Sequence, residues 1–377
     1  MQRPANPEVH LVAFDIPVPV NYGGAIDIFY KIKALSDKGI GVHLHCFQYG
    51  REESAELEAM CASVHYYRRD ISKTNLFNRR PYIVATRNSE ELTRALLKDE
   101  HPILLEGMHT CYYLEDPRLK KRRKIVRTHN IEHDYYSSLA KVERNIFKRY
   151  YFLNEASKLK RYEQVLHMAS GIAAISRNDQ EYYSAQFRNV QVVTAFHPQE
   201  SVDIKPGRGT FALYHASLDV GENNEAALFL THKIFNDISI PLVIAGNKPS
   251  KELRDTVAQY PNVELRLGLS SEEITQLVRE AQLNILPTFQ ATGIKLKLLL
   301  ALHVGRFCIV NTPMVCHTGL EDLCIIKDTP REMKQAVIKC FSMDFPAEDI
   351  RKREEILVEN GFSNSHNADV LIQMLFP

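Results

Sequence analysis

Short apolar runs alternate with helical patterns along the whole chain. Residues 9–14 read as a strand, 25–38 as an amphipathic helix and 41–47 as the next strand. Shorter strand signals follow at 63–67, 103–105 and 124–128, with a helix near 89–98. A long helical stretch at 134–167, rich in charges and aromatics, precedes strands at 171–175 and 190–193. The segment 197–209 then carries two prolines and two glycines with no apolar period, and reads as a linker.

A second series begins beyond it. Strands are predicted at 210–215, 241–245, 262–265, 283–286 and 307–310, with helices at 223–236, 250–260, 271–281 and 294–303 between them. Three further segments, 330–342, 346–360 and 363–375, look helical. Strands alternating with helices imply right-handed crossovers and parallel sheets covered on both faces. The expected fold is α/β, with two Rossmann-like parallel-sheet lobes facing a cleft: domains at 1–196 and 210–345 joined by the 197–209 linker.

Composition narrows the classes. A chain of 377 residues suits two cores better than one. A formal net charge of +1 argues against a nucleic-acid partner. The seven cysteines form no CxxC pair, so reduced thiols are expected and no metal site. The opening MQRPANPEVHLVAF lacks the apolar core of a signal peptide, and no window approaches the roughly 20 apolar residues of a membrane span. A soluble cytoplasmic protein is the expectation.

Ligands of open parallel sheets bind outside the carboxyl ends of the strands, so those ends supply the candidate chemistry. In the first lobe they carry Asp15, Glu106, Gly107, His109, His129, Asn130 and Glu132; in the second, Ser217, Gly246, Asn247, Lys248, Thr288, Thr292 and Gly293. The loop IPVPVNYGG puts Gly23 and Gly24 at a helix start, where they serve either anion approach or a tight turn. It is not GxGxxG, and no acid closes the second strand, which disfavours NAD. In RTHNIEHDYY, His129, Asn130 and Glu132 suit hydroxyl orientation and proton transfer, or alternatively helix capping by Asn130. In FQATGIKLKLLLALHVGRF a glycine turn opens a helix beside Lys295 and Lys297, an electropositive start suited to a diphosphate, or else solvated lysines. The run 118–127 carries seven basic residues in ten, and reads as a solvated loop or as a contact for anionic lipid or a polyanionic acceptor.

At these residues the chain resembles the GT4-like (glycosyl transferases group 1) branch of the GT-B glycosyltransferases. The resemblance runs through YGGAIDIFYKIKALSDKGIGVHLHCF, RTHNIEHDYY, KLKRYEQVLHMASGIAAISRND, PLVIAGNKPSKEL and TGIKLKLLLALHVGRFCIVNT. It implies a nucleotide-sugar donor, UDP- or GDP-linked, a glycan or lipid-linked acceptor, and no separate cofactor. Gly23, Gly24, Ser217, Gly246, Lys248, Thr292, Gly293, Ile294, Lys295 and Lys297 would bind the donor; His129, Asn130 and Glu132 would face the reacting sugar or acceptor. Transfer would retain anomeric configuration without an essential metal, which agrees with the lack of a DxD triplet. The helices at 346–377 would return to the first lobe. The resemblance also implies hexosyl transfer in cell-surface polysaccharide biosynthesis, with peripheral contact at the cytoplasmic membrane face. One position departs: Leu300 stands where relatives place a ribose-binding glutamate, and Thr292 where some place an earlier one. A lost carboxylate costs about 1.5–3 kcal/mol, so a catalytically inactive GT-B-like binding or scaffold subunit is the alternative, with a nucleotide-sugar epimerase behind it.

Overall fold

The computed structural model describes residues 6–143, 145–289 and 296–377. The chain divides into two compact units, Met1–Pro198 with Phe362–Pro377, and Gln199–Gly361.

The first unit is built on seven parallel strands: β1 (Glu8–Ala13), β2 (Gly41–Gln48), β3 (Ser63–Arg68), β4 (Ile103–Glu106), β5 (Lys124–Arg127), β6 (Gly171–Ala174) and β7 (Val190–Val192). Their order is β3-β2-β1-β4-β5-β6-β7, so the winding reverses between β1 and β4. Register explains why the central strands β1, β4, β5 and β6 read as mainly apolar runs. Leu44, Leu11, Leu104 and Ile125 stand side by side in one row, and Val12, Leu105, Val126 and Ile172 in the next. Successive residues point to opposite faces, and each row feeds a different core cluster. A parallel sheet buried on both faces leaves no polar alternation to see.

One face is covered by the helix Gly23–Asp37, which buries Ile28, Ile32 and Leu35, and by the helix Asn364–Leu375, which buries Leu371, Met374 and Leu375. The second of these is pinned by its amides. Asn367 accepts from the Thr194 amide (3.2 Å) and donates to the Thr194 hydroxyl (2.8 Å), while Asn364 accepts from the amide of His197 (3.1 Å) and donates to its carbonyl (2.7 Å).

The second unit carries β8 (Ala212–His215), β9 (Leu242–Ala245), β10 (Val263–Arg266), β11 (Leu283–Ile285), β12 (Phe307–Val310) and β13 (Ile325–Ile326), all parallel, in the order β10-β9-β8-β11-β12-β13. The two-residue edge strand β13 gave no apolar run to read.

Several boundaries differ from expectation. The stretch 134–167 is two helices, Glu132–Val142 and Ile146–Tyr162, followed by a 3-10 turn at Glu163–Met168. Asn145 starts the second, its carboxamide accepting from the amides of Phe147 (3.0 Å) and Lys148 (3.1 Å). The segment after Pro198 is fastened to the second unit rather than spanning as a linker: the Asp203 amide donates to the His303 carbonyl (2.8 Å), and Gly207, at φ +85°, exchanges backbone bonds with Phe345. The helix Glu348–Glu359 also belongs there, since its buried Arg353 donates to the carbonyls of Leu302 (3.2 Å) and Gly305 (2.6 Å). Of the region 346–377, only Phe362–Pro377 joins the first unit.

Candidate active site

In the first unit the strand ends gather around a buried ionic network. Asp27 and Lys31 lie one turn apart on the helix Gly23–Asp37 and face the sheet, both buried. Lys31 Nζ donates to Asp27 (2.8 Å) and to both oxygens of Glu106 (2.7 and 2.8 Å). Arg127 donates to Asp27 (3.0 Å), to the Thr194 carbonyl (3.1 Å) and to the Val193 carbonyl. The Phe196 amide also donates to Asp27 (2.8 Å). Nε2 of His129 lies 2.9 Å from Glu106, and its Nδ1 is 3.8 Å from Asp27. Asp27, Glu106 and His129 have metal-like spacing. The Lys31 ammonium and the Arg127 guanidinium already balance the two carboxylates there, so the trio reads as an ion-pair network that orients His129.

Glu132 opens the helix Glu132–Val142 and is buried. Burial pushes its carboxyl up to about 7, against a hydrogen bond from Asn130 and the charge of Arg87. The helix takes Ile131 as its N-cap with no side-chain bond, so Asn130 is not the cap; its carbonyl accepts from Tyr183 (3.2 Å). His109 lies under Phe14 (ring centroids 4.9 Å), its Nδ1 buried and without a hydrogen-bond partner among the described residues. Arg87 is the cation that sequence reasoning missed. It comes from a loop without a motif, and donates to the carbonyls of Phe14 (2.9 Å) and Ile83 (2.7 Å).

A folded-state carboxyl raised from the ordinary 4.5 to about 7 favours folding fully below about 4.5, and that contribution is lost as pH rises through 7. Glu132→Gln is therefore expected to flatten the pH dependence of unfolding free energy between those values, by at most roughly 3 kcal/mol. Urea titrations of both proteins from pH 5 to about 8 read this directly, and parallel curves would refute it.

Gly24 has a packing explanation, because a Cβ there would fall 2.7 Å from the Phe14 ring. Gly23 begins its helix exposed, beyond an N-cap, Tyr22, that makes no side-chain capping bond. The loop before it is held by Arg51, which donates to the carbonyls of Ile16 (3.0 Å) and Pro19 (2.8 Å), sits 3.4 Å from Asp15 and stacks on Tyr22.

In the second unit the strand ends bring together Ser217, Glu222, Asn223, Thr288, Asn311 and Lys297. Lys297 Nζ donates to Asn223 (3.1 Å) and lies 5.3 Å over the Tyr214 ring. Asn223 donates in turn to the Ser217 carbonyl (3.0 Å). Glu222 accepts from the Thr288 hydroxyl and the Phe289 amide (3.1 Å), and Asn311 clamps Thr288 through its amide (3.0 Å) and carbonyl (2.7 Å). His215 lies buried nearby, its imidazole pushed down to about 3 by burial and by the charge of Lys297. Gly246 is required by close approach, since a Cβ would sit 2.0 Å from the Ala216 carbonyl oxygen. Lys248 is exposed at φ +54° in the turn that follows. Thr292, Gly293, Ile294 and Lys295 lie outside the described residues. Leu300 is half-buried and places no carboxylate in the cluster, whereas Glu222 does, from the start of another helix, Gly221–Phe229. A search confined to position 300 could not find it.

The basic run 118–127 is mostly spent inside the unit. Arg118 pairs with Glu90 (2.7 Å) and Asp116 (2.8 Å), Lys124 donates to the carbonyls of Leu114 (3.2 Å) and Leu119 (3.1 Å), and Arg123 donates to Met374 (2.6 Å). Arg122 and Arg127 are buried too, whereas Arg118, Lys120 and Lys121 are exposed, so the run is solvated at its start and built into the unit beyond it. Among the described residues no helix is long and apolar enough to cross a membrane.

Two doubly wound parallel-sheet units, the first completed by the helix Asn364–Leu375, give the fold of the GT-B glycosyltransferases. The chain matches the family model for glycosyl transferases group 1 over residues 212–343. It is 24% identical over 322 residues to an uncharacterized 44.6 kDa protein in the cps region of Klebsiella pneumoniae, covering 80% of this chain and 82% of that one. In fold it is similar to TarM (TM-score 0.68, 9% identity, 100% of both chains). It is also similar to the trehalose-6-phosphate synthase OtsA (TM-score 0.64, 11% identity, 98% of both chains).

Proposed function

We propose that the chain moves a hexose from a UDP- or GDP-sugar to a glycan or lipid-linked acceptor, retaining anomeric configuration without an essential metal. The observation that carries this reading is the second-unit cluster, where the Lys297 ammonium bonds Asn223, next in sequence to the Glu222 carboxylate at one helix start. A cation there suits a diphosphate, and a carboxylate suits a ribose hydroxyl pair. Glu222 thus offers what Leu300 lacks. Ser217, Gly246 and Lys248 would line the same donor site, with Thr292, Gly293, Ile294 and Lys295 beside Lys297 in sequence. In the first unit Gly23 and Gly24 would approach donor phosphates, and His129, Asn130 and Glu132 would act on the sugar or acceptor. A solved TarM variant of S. aureus is described in complex with UDP, and the relative from Klebsiella pneumoniae is placed in a cps region. The first supports a nucleotide donor and the second a role in cell-surface glycan assembly.

Titration calorimetry across UDP-, GDP- and ADP-sugars tests the donor assignment. One of them is expected to bind below about 1 mM, equivalent to about 4 kcal/mol, and binding by none would sink it. With that donor, His129→Ala is expected to slow transfer by roughly 10²-fold or more; an unchanged rate would remove His129 from the site and leave the function standing. Leu300 favours a second reading, a binding subunit that no longer turns over, and donor binding without transfer to any acceptor would select it.

A further inference from the structure

The opposite ends of the first-unit strands hold a second polar cluster that the transfer chemistry does not use. Five histidines gather at the amino ends of β1, β2, β3 and β4. His10 comes from β1, His43 and His45 from β2, His65 from β3, and His101 from just before β4. Their rings lie against one another, with centroids 5.2 Å apart for His10 and His43 and 5.8 Å apart for the stacked His43 and His101.

The buried members are already satisfied. His10 bonds Asp99 (2.9 Å) and His45 (2.8 Å), and His45 bonds Tyr67 (2.9 Å). His10 is pushed down to about 4 by burial, against the pull of Asp99, so it is neutral near pH 7. The outer members differ. Nε2 of His101 and Nε2 of His43 converge on one oxygen of Glu8, at 2.9 and 3.3 Å, and all three residues are only half-buried. Two nitrogens and an oxygen bound tetrahedrally at about 2.0–2.2 Å stand roughly 3.3 Å apart, close to the spacing found. Among the described residues Glu8 forms ion pairs only with these two imidazoles.

Two neighbours preorganise the arrangement. The other nitrogen of His43, Nδ1, lies 2.8 Å from Ser63 Oγ, the kind of outer bond that fixes a ligating tautomer. Gly41, directly across the ladder from Glu8, leaves the space the Glu8 side chain occupies, since a Cβ there would fall 2.9 Å from Glu8 Cγ.

We propose that Glu8, His43 and His101 form a binding site for a zinc-class divalent cation, with three protein ligands and one position left for water. Imidazole and carboxylate donors favour Zn²⁺, Co²⁺ or Ni²⁺ over Mg²⁺ or Ca²⁺. The ion would clip β1, β2 and the approach to β4 together, at the end of the sheet away from the strand ends that carry the candidate chemistry. The metal-like trio Asp27, Glu106 and His129 differs because two cations already occupy it.

The test uses chelator-treated full-length protein titrated with Co²⁺ and then Zn²⁺ at about pH 7.5, where imidazoles are free to ligate. One equivalent of Co²⁺ is expected to bind with a visible tetrahedral spectrum free of thiolate charge-transfer bands, and Zn²⁺ is expected to displace it and raise Tm. Glu8→Gln and His101→Ala should each weaken binding by roughly tenfold or more, while His366→Ala should not. Circular dichroism of the metal-free variants shows whether they fold. Thiolate bands, no stoichiometric binding to the wild type, or equal binding by folded His101→Ala would each overturn the proposal.

Discussion

Asp27→Ala is expected to destabilise the first unit by about 3–5 kcal/mol, because it leaves buried cations short of a counter-charge. Asp27 accepts from Lys31, from Arg127 and from the Phe196 amide, and all of these lie inside the unit. With it gone, only Glu106 remains to balance two cations. Burial alone would raise the Asp27 carboxyl, but Arg127 and Lys31 hold it far below the usual carboxylate range. Its stabilising contribution is therefore present above the ordinary carboxylate pKa and disappears as the pH falls well beneath it. Urea unfolding followed by circular dichroism measures the effect, and a loss under about 1 kcal/mol would show that the network is not a keystone. Asp27→Ala with Arg127→Met should recover part of the loss, since the second change removes an unpaired charge. No recovery would argue that the lost Phe196 and helix contacts dominate instead.

Lys297→Met is expected to lower transfer by roughly 10²–10³-fold while leaving Tm nearly unchanged. Methionine keeps the aliphatic stem against Tyr214 and discards only the ammonium, which is bonded to Asn223. Nucleoside diphosphate affinity measured by calorimetry should fall with the rate, because the proposed contact is to the diphosphate. A change below about threefold in both would take Lys297 out of the donor site.

How much of this was legible in the sequence depended on whether the signal was local. Twelve strands stood out, most of them because central parallel strands buried on both faces are nearly unbroken apolar runs bounded by turns, and the thirteenth, β13, is too short to make one. The break inside 134–167 is marked by one carboxamide, Asn145, with no proline or glycine beside it. Boundaries near 198 and 361 rest on long-range backbone bonds such as that from Asp203 to His303, which leave no compositional trace.

The site divides in the same way. Strand-end residues such as Glu106, His129 and Glu132 could be found by position. Their partners could not. Asp27 and Lys31 look like the polar stripe of an amphipathic helix, yet they face the sheet because Arg127 and Glu106 wait there, 100 and 75 positions along the chain. The basic run 118–127 misled for the converse reason: some of its charges are matched by groups distant in sequence, Arg123 by the Met374 carbonyl and Arg118 by Glu90. Glu222 was hidden because a carboxylate was sought at one point on one helix, whereas several strand ends can supply it.

The helix Asn364–Leu375 belongs to the first unit, but the ribosome delivers it only after all of Gln199–Gly361. A nascent chain thus holds the row Leu44, Leu11, Leu104 and Ile125 partly uncovered while an entire second unit is synthesised. The second unit, a continuous block, can complete itself first. In the cell the part made earliest is therefore the last to finish folding, and during that interval its apolar face is the surface a chaperone would meet.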